Sequence, residues 1–100
     1  MSGQKTVPLQ SKLNLETAPI AWKELQTFFA NGSVVFVDAS LDLLVVAEQL
    51  VADNSSLFAS WMEQGLVEKV TDDQALSWYE ADAVLWGVVI KPWVLVQERD

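Results

Sequence analysis

The chain has 100 residues, no His and no Cys, and 14 Asp and Glu against 6 Lys and Arg, for a net charge of −8. That length suits one domain, and an apolar fraction of 51% with 5 Trp and 4 Phe can fill a core without a disulfide or structural metal. The missing residue types exclude thiolate nucleophiles, zinc and iron–sulfur sites, Ser-His-Asp triads and imidazole proton shuttles, leaving carboxylates, lysines, Tyr79 and hydroxyls for any catalysis and only hard, oxygen-liganded cations for any metal.

Residues 1–12 are polar, carry Lys5 and Lys12, and read as a flexible N-terminal arm, with a globular domain over 13–100. From Asn14, the apolar positions Leu15, Ala18, Trp22, Leu25 and Phe29 recur at helical spacing, with Thr17 as N-cap and Pro19 in the first turn. Asn31-Gly32 ends that helix. Ser33–Val37 (SVVFV) predicts a buried strand, and Leu41–Ala52 a buried helix capped by Ser40. After the break at Asp53–Ser55, Ser56–Gln64 predicts a short helix with Leu57, Phe58, Trp61 and Met62 inward. Leu66–Val70 predicts a strand, and Thr71-Asp72-Asp73-Gln74 is a capping box that opens a helix to about Ala81. Val84–Val96 reads as extended, with Pro92 placing that end at an edge or bulge because it lacks a ladder donor.

These elements give an α+β (mixed α/β) class in the order α-β-α-α-β-α-β. The expected architecture is a small three-stranded sheet covered by helices, its first two strands joined by a parallel crossover. The same order also fits a winged-helix-like fold. In that case the presumed recognition helix carries Glu63 and no Lys or Arg, so DNA binding is not expected. More generally, residues 13–90 hold 2 Lys against 12 carboxylates. A body this acidic argues against nucleic acid and anionic membrane partners. The longest apolar run, Ala83–Ile90, has 8 residues, against about 20 for a membrane span, and Met1–Gln10 holds no signal-peptide core. The expectation is a soluble cytoplasmic protein.

Several segments together resemble the bacterial domain of unknown function numbered 2288: Leu13–Ala18, Trp22-Lys23-Glu24-Leu25, Val37-Asp38 with Leu41-Asp42-Leu43, and above all Leu85–Gln97 (LWGVVIKPWVLVQ). The resemblance spans about residues 13–97 and departs from the family pattern at Pro19 and Ala21, where the proline is expected nearer position 21. It implies one domain, bacterial origin and a cytoplasmic location. It carries no activity, cofactor or catalytic residue.

Among the remaining residues, Asp38 and Asp42 are the metal candidates. Asp38 follows a buried strand, where α/β folds place ligand-binding groups, and Asp42 stands four residues on. The plainer roles are a turn for Asp38 and helix-dipole complementation for Asp42. Asp72 and Asp73 suit a helix start in the same way. Trp93, Trp86, Lys91 and Pro92 are the interface candidates. Trp93 follows Pro92 on the expected edge, where an exposed Trp signals a contact surface. Trp86 alternates with Val84, Val88 and Ile90, a core pattern, and Lys91 suits an edge gatekeeper. Gly87 inside a strand suggests a bulge or close packing. No convergent catalytic set and no cofactor motif is legible. The preferred expectation is therefore a non-enzymatic protein acting through protein–protein contact, as a homodimer or with another protein, through Val84–Val96. The alternatives are a small-molecule or divalent-cation binder, or an enzyme, using Asp38 and Asp42, and a winged-helix-like adaptor without DNA affinity.

Overall fold

Residues 16–99 are described by the structure, a computed structural model. The expected arm over residues 1–12 and the expected helix start at Asn14 and Leu15 lie outside the described residues. The chain runs through β1 (Ala18–Ala21), a 3₁₀ turn (Trp22–Leu25), α1 (Gln26–Ala30), β2 (Val34–Val37), α2 (Leu43–Val51), α3 (Ser55–Glu63), β3 (Val67–Lys69), α4 (Asp72–Glu80), β4 (Val84–Ile90) and β5 (Trp93–Gln97). The mixed α/β class holds. The sheet, however, has five strands in the order β1-β4-β5-β2-β3, not three.

Side-chain alternation explains why β2 and β5 are apolar at almost every position. Val34, Val94 and Val96 point to one face, where they join Trp22, Leu25 and Trp78 under the 3₁₀ turn, α1 and α4. Val37 and Leu95 point to the other, with Val35 packed against them, and meet Leu43, Val46 and Ala47 of α2. A central strand covered on both faces needs apolar residues at odd and even positions alike. A three-helix core with a β-ribbon, the winged-helix alternative, is not what this chain forms.

The expected first helix is corrected in its N-terminal half. Ala18–Ala21 pair antiparallel with Val84–Gly87 of β4, and helical structure starts only at Trp22. Trp22 N–H donates to Ala83 O at 2.9 Å. By alternation Ile20 and Ala18 also face β4, so the nitrogen of Pro19 faces outward, where an edge strand needs no donor. Pro19 is tolerated in either place; the strand is set by its pairing with β4. Gly87 then provides close packing and not a bulge. A Cβ at Gly87 would lie 2.5 Å from Ile20 Cδ1, so the absent side chain makes the space into which Ile20 leans.

The expected edge at the C-terminus is also corrected. Lys91-Pro92, joined by a cis peptide, forms the turn of a β4–β5 hairpin. β4 is flanked by β1 and β5, and β5 by β4 and β2, so β5 is the middle strand of the sheet. Pro92 needs no ladder donor because it sits in the connection and not in a strand. The expected parallel crossover is likewise absent. β2 and β3 pair antiparallel, and the parallel partner of β2 is β5. Two helices, α2 and α3, separate β2 from β3, and an even number of passes returns the chain in the opposite direction.

Local signals fare better. The Thr71–Gln74 capping box forms, with Gln74 N–H donating to Thr71 Oγ1 at 3.1 Å and Thr71 N–H donating to Gln74 Oε1 at 3.0 Å. Gly32 ends α1 at φ +72°, a left-handed conformation that costs a residue with a Cβ. The start of α2 shifts, since Asp42 and not Ser40 is its N-cap.

Candidate functional site

Asp38 and Asp42 lie in the loop between β2 and α2, and local backbone groups engage both carboxylates. Asp38 Oδ2 accepts from Ser40 N–H at 2.9 Å, and Asp42 Oδ1 accepts from Leu44 N–H at 2.9 Å. Hydrogen bonds from the Ser40 side chain and backbone hold the Asp38 carboxyl below its ordinary pKa, as expected when the charged form is the one bonded. Gln97, at the end of the central strand, fixes this loop from below, its Nε2 donating to Asp38 O at 2.9 Å and Leu41 O at 2.7 Å. Among the described residues no group of three or more Asp or Glu gathers at a metal-binding spacing.

The interface candidates separate. Lys91 and Pro92 are exposed at the hairpin turn. Trp86 is half-buried on the α2 face with Val88 and Ile90, and the Arg99 guanidinium stands 4.8 Å from its ring centroid. Trp93 opens the central strand, paired with Ile90 of β4, and is half-buried.

What Trp93 borders is a cleft. Leu50 of α2 and Phe58 and Met62 of α3 form one side, and Val35, Val67 and Leu95 of the sheet form the other. Trp93 and Lys69 complete the wall, with Glu68 between Val67 and Lys69 along β3. The cavity measures about 180 Å³. Phe58 is held edge-on against Trp61 with centroids 5.3 Å apart, which fixes the helix side of the wall. Met62 remains 55% exposed. Register places Lys69 opposite Val35, so its side chain shares the cleft face. Its Nζ lies 5.6 Å from the Trp93 ring centroid, a cation–π contact. A shallower, more polar extension of about 210 Å³ continues past Leu50 and Phe58 to Gln49, Asp53, Asn54 and Ser55.

The family described as "Protein of unknown function (DUF2288)" matches residues 8–98. The chain belongs to that family. The NMR solution structure of PA1075 from Pseudomonas aeruginosa is similar to this DUF2288 chain at 45% identity and a TM-score of 0.80, covering 100% of this chain and 92% of that one. No curated protein matches. Among the described residues no helix is long and apolar enough to cross a membrane.

In this DUF2288 chain, sequence reasoning named Trp93 but missed the company it keeps. Helical spacing predicts Phe58 and Met62 inward; Phe58 is half-buried, but Met62 is exposed at the cleft, because spacing does not tell a sealed core from an open cleft. Lys69 carries no motif of its own. A signal was present: Val67 and Lys69 share one strand face, so a cation follows an apolar residue onto the same side.

Proposed function

We propose that this protein works in the cytoplasm by protein–protein contact and not by catalysis, and that the cleft beside Trp93 is its contact site. One observation carries the reading: a half-buried Trp and a largely exposed Met stand at an apolar cavity of about 180 Å³. Interface hot spots are apolar and aromatic anchors that fill pockets of this kind. Small-molecule sites usually measure about 300–1,000 Å³, whereas a cavity of about 150 Å³ takes one benzene-sized group. The cleft thus suits a single large side chain whose parent surface rests on the rim. Engagement of Asp38 and Asp42 by their own loop supports the non-catalytic half of the proposal.

The test is a titration of ¹⁵N-labelled protein with benzyl alcohol, a neutral probe of ring size. The amide signals of Val35, Lys69, Trp93 and Leu95 are expected to shift together, and Met62→Trp, which crowds the mouth, is expected to suppress the shifts. Shifts confined to other parts of the surface refute the reading. Light scattering on the same samples identifies the partner as a second copy if the mass rises with concentration and Trp93→Ala abolishes the rise.

A further inference from the structure

We infer that the cleft receives the C-terminal residue of a partner chain, with its large apolar side chain in the cavity and its α-carboxylate on Lys69 Nζ. The inference rests on the contact reading above and specifies the partner's chemistry.

Three observations support it. The first is charge. Residues 13–90 contain only two lysines, Lys23 and Lys69. Lys23 Nζ is 3.5 Å from Asp82 Oδ1, whereas Lys69 makes no ion pair among the described residues. Among the described residues the cation at the cleft therefore has no carboxylate engaged, in a protein rich in carboxylates. Glu68 belongs to the same wall, but its register partner is Phe36, which packs on the opposite face with Trp78. Alternation along β3 thus turns the Glu68 side chain away from the cleft and the Lys69 side chain toward it.

The second observation is proximity. Lys69 Nζ stands over the ring of Trp93, itself part of the cavity wall. The anion must therefore sit beside the group that fills the cavity. An acidic neighbour in an extended peptide points to the other side of the chain from the anchor. A terminal carboxylate belongs to the same residue as the anchoring side chain, so one residue supplies both groups. Capture of a C-terminal carboxylate is an established mode of peptide recognition.

The third is the size of the apolar cavity, about 180 Å³, the scale of one ring-sized side chain. The acidity of the rest of the body does not oppose the inference. At physiological ionic strength charges are screened beyond about 8 Å, so a carboxylate at Lys69 responds chiefly to Lys69. The same acidity favours basic residues upstream in the partner, since charge complementarity steers encounter.

The experiment titrates the ¹⁵N-labelled protein with the peptide acetyl-Lys-Lys-Gly-Phe, its C-terminal amide and free phenylacetate. The acid is expected to shift the cleft amides and to bind about fivefold more tightly than the amide, the order of one exposed charge-assisted contact. Lys69→Gln should abolish the preference, so that the variant binds acid and amide alike, and Lys69→Arg should preserve it. Equal binding of acid and amide at the cleft overturns the inference while the contact reading stands. Failure of both peptides where benzyl alcohol still shifts the cleft also overturns it alone. Phenylacetate binding as tightly as the peptide acid overturns it in favour of a small aromatic acid. No shift at the cleft with any probe overturns the inference and the contact reading together.

Discussion

Replacing Trp22 separates two contributions that a buried tryptophan makes. Trp22 is 0% exposed and sits edge-on against Phe29 and Trp78, with ring centroids 5.5 and 5.1 Å away. Its Nε1–H is buried without an acceptor among the described residues. Trp22→Ala removes the whole ring from a packed site and is expected to cost about 3–5 kcal/mol. Trp22→Phe keeps an aromatic ring between the same neighbours. It gives up roughly 1–2 kcal/mol of packing but also removes a buried donor whose desolvation costs about 1–3 kcal/mol. The net change should lie between a loss of about 1 kcal/mol and a gain of about 2 kcal/mol. Urea unfolding at fixed pH measures both variants. With a slope of about 2 kcal/mol/M, Trp22→Ala lowers the midpoint by about 2 M and Trp22→Phe by no more than about 0.5 M, without a change in slope. Equal losses in the two variants would refute the reasoning, since the indole N–H would then be a working donor, to a ring face or to an internal water.

Two further outcomes test the loop before α2. Asp42→Ala removes the N-cap that accepts from Leu44 N–H and should cost about 1 kcal/mol in urea unfolding; a loss no larger than that of Ser40→Ala would return the cap to Ser40. Asp38 has its folded pKa lowered by the Ser40 hydrogen bonds, so its contribution to stability is present in full above the unfolded value of about 3.9 and is lost as pH falls through the folded pKa. Melting temperature against pH should therefore show an acid-side decline below about pH 4 that Asp38→Asn diminishes, and an unchanged profile in that variant would show that Asp38 gains nothing from folding.

Local chemistry in this chain was readable residue by residue. The capping box at Thr71–Gln74, the left-handed stop at Gly32 and the alternation of Trp86 with Val88 and Ile90 each depend on neighbours within a few positions, and each forms where the spacing places it, whereas Val84, expected on the same core face, is exposed. The two prolines mark missing donors without fixing where those gaps fall. Pro19 could be satisfied by a helix's first turn or by the outer side of an edge strand, and Pro92 by an edge or by a turn. Only the pairing partner, more than sixty residues away for β1, distinguishes the options.

The candidate site divides in the same way. Trp93 stood out from composition and from its neighbour Pro92. The cleft around it joins Val35, Leu50, Phe58, Met62 and Lys69, residues drawn from four elements whose juxtaposition no local pattern encodes. The sequence by itself determined the chemistry this protein lacks, the apolar character of its strands, its acidic charge and most of its helix boundaries, because these follow from residue type and short-range spacing. Only the tertiary structure decided that β5 lies mid-sheet, that β2 and β3 run antiparallel, and that a cleft stays open beside Trp93. Those features depend on which distant strands share hydrogen bonds, and an apolar strand can satisfy several such pairings equally well until the whole sheet and its covering helices are assembled.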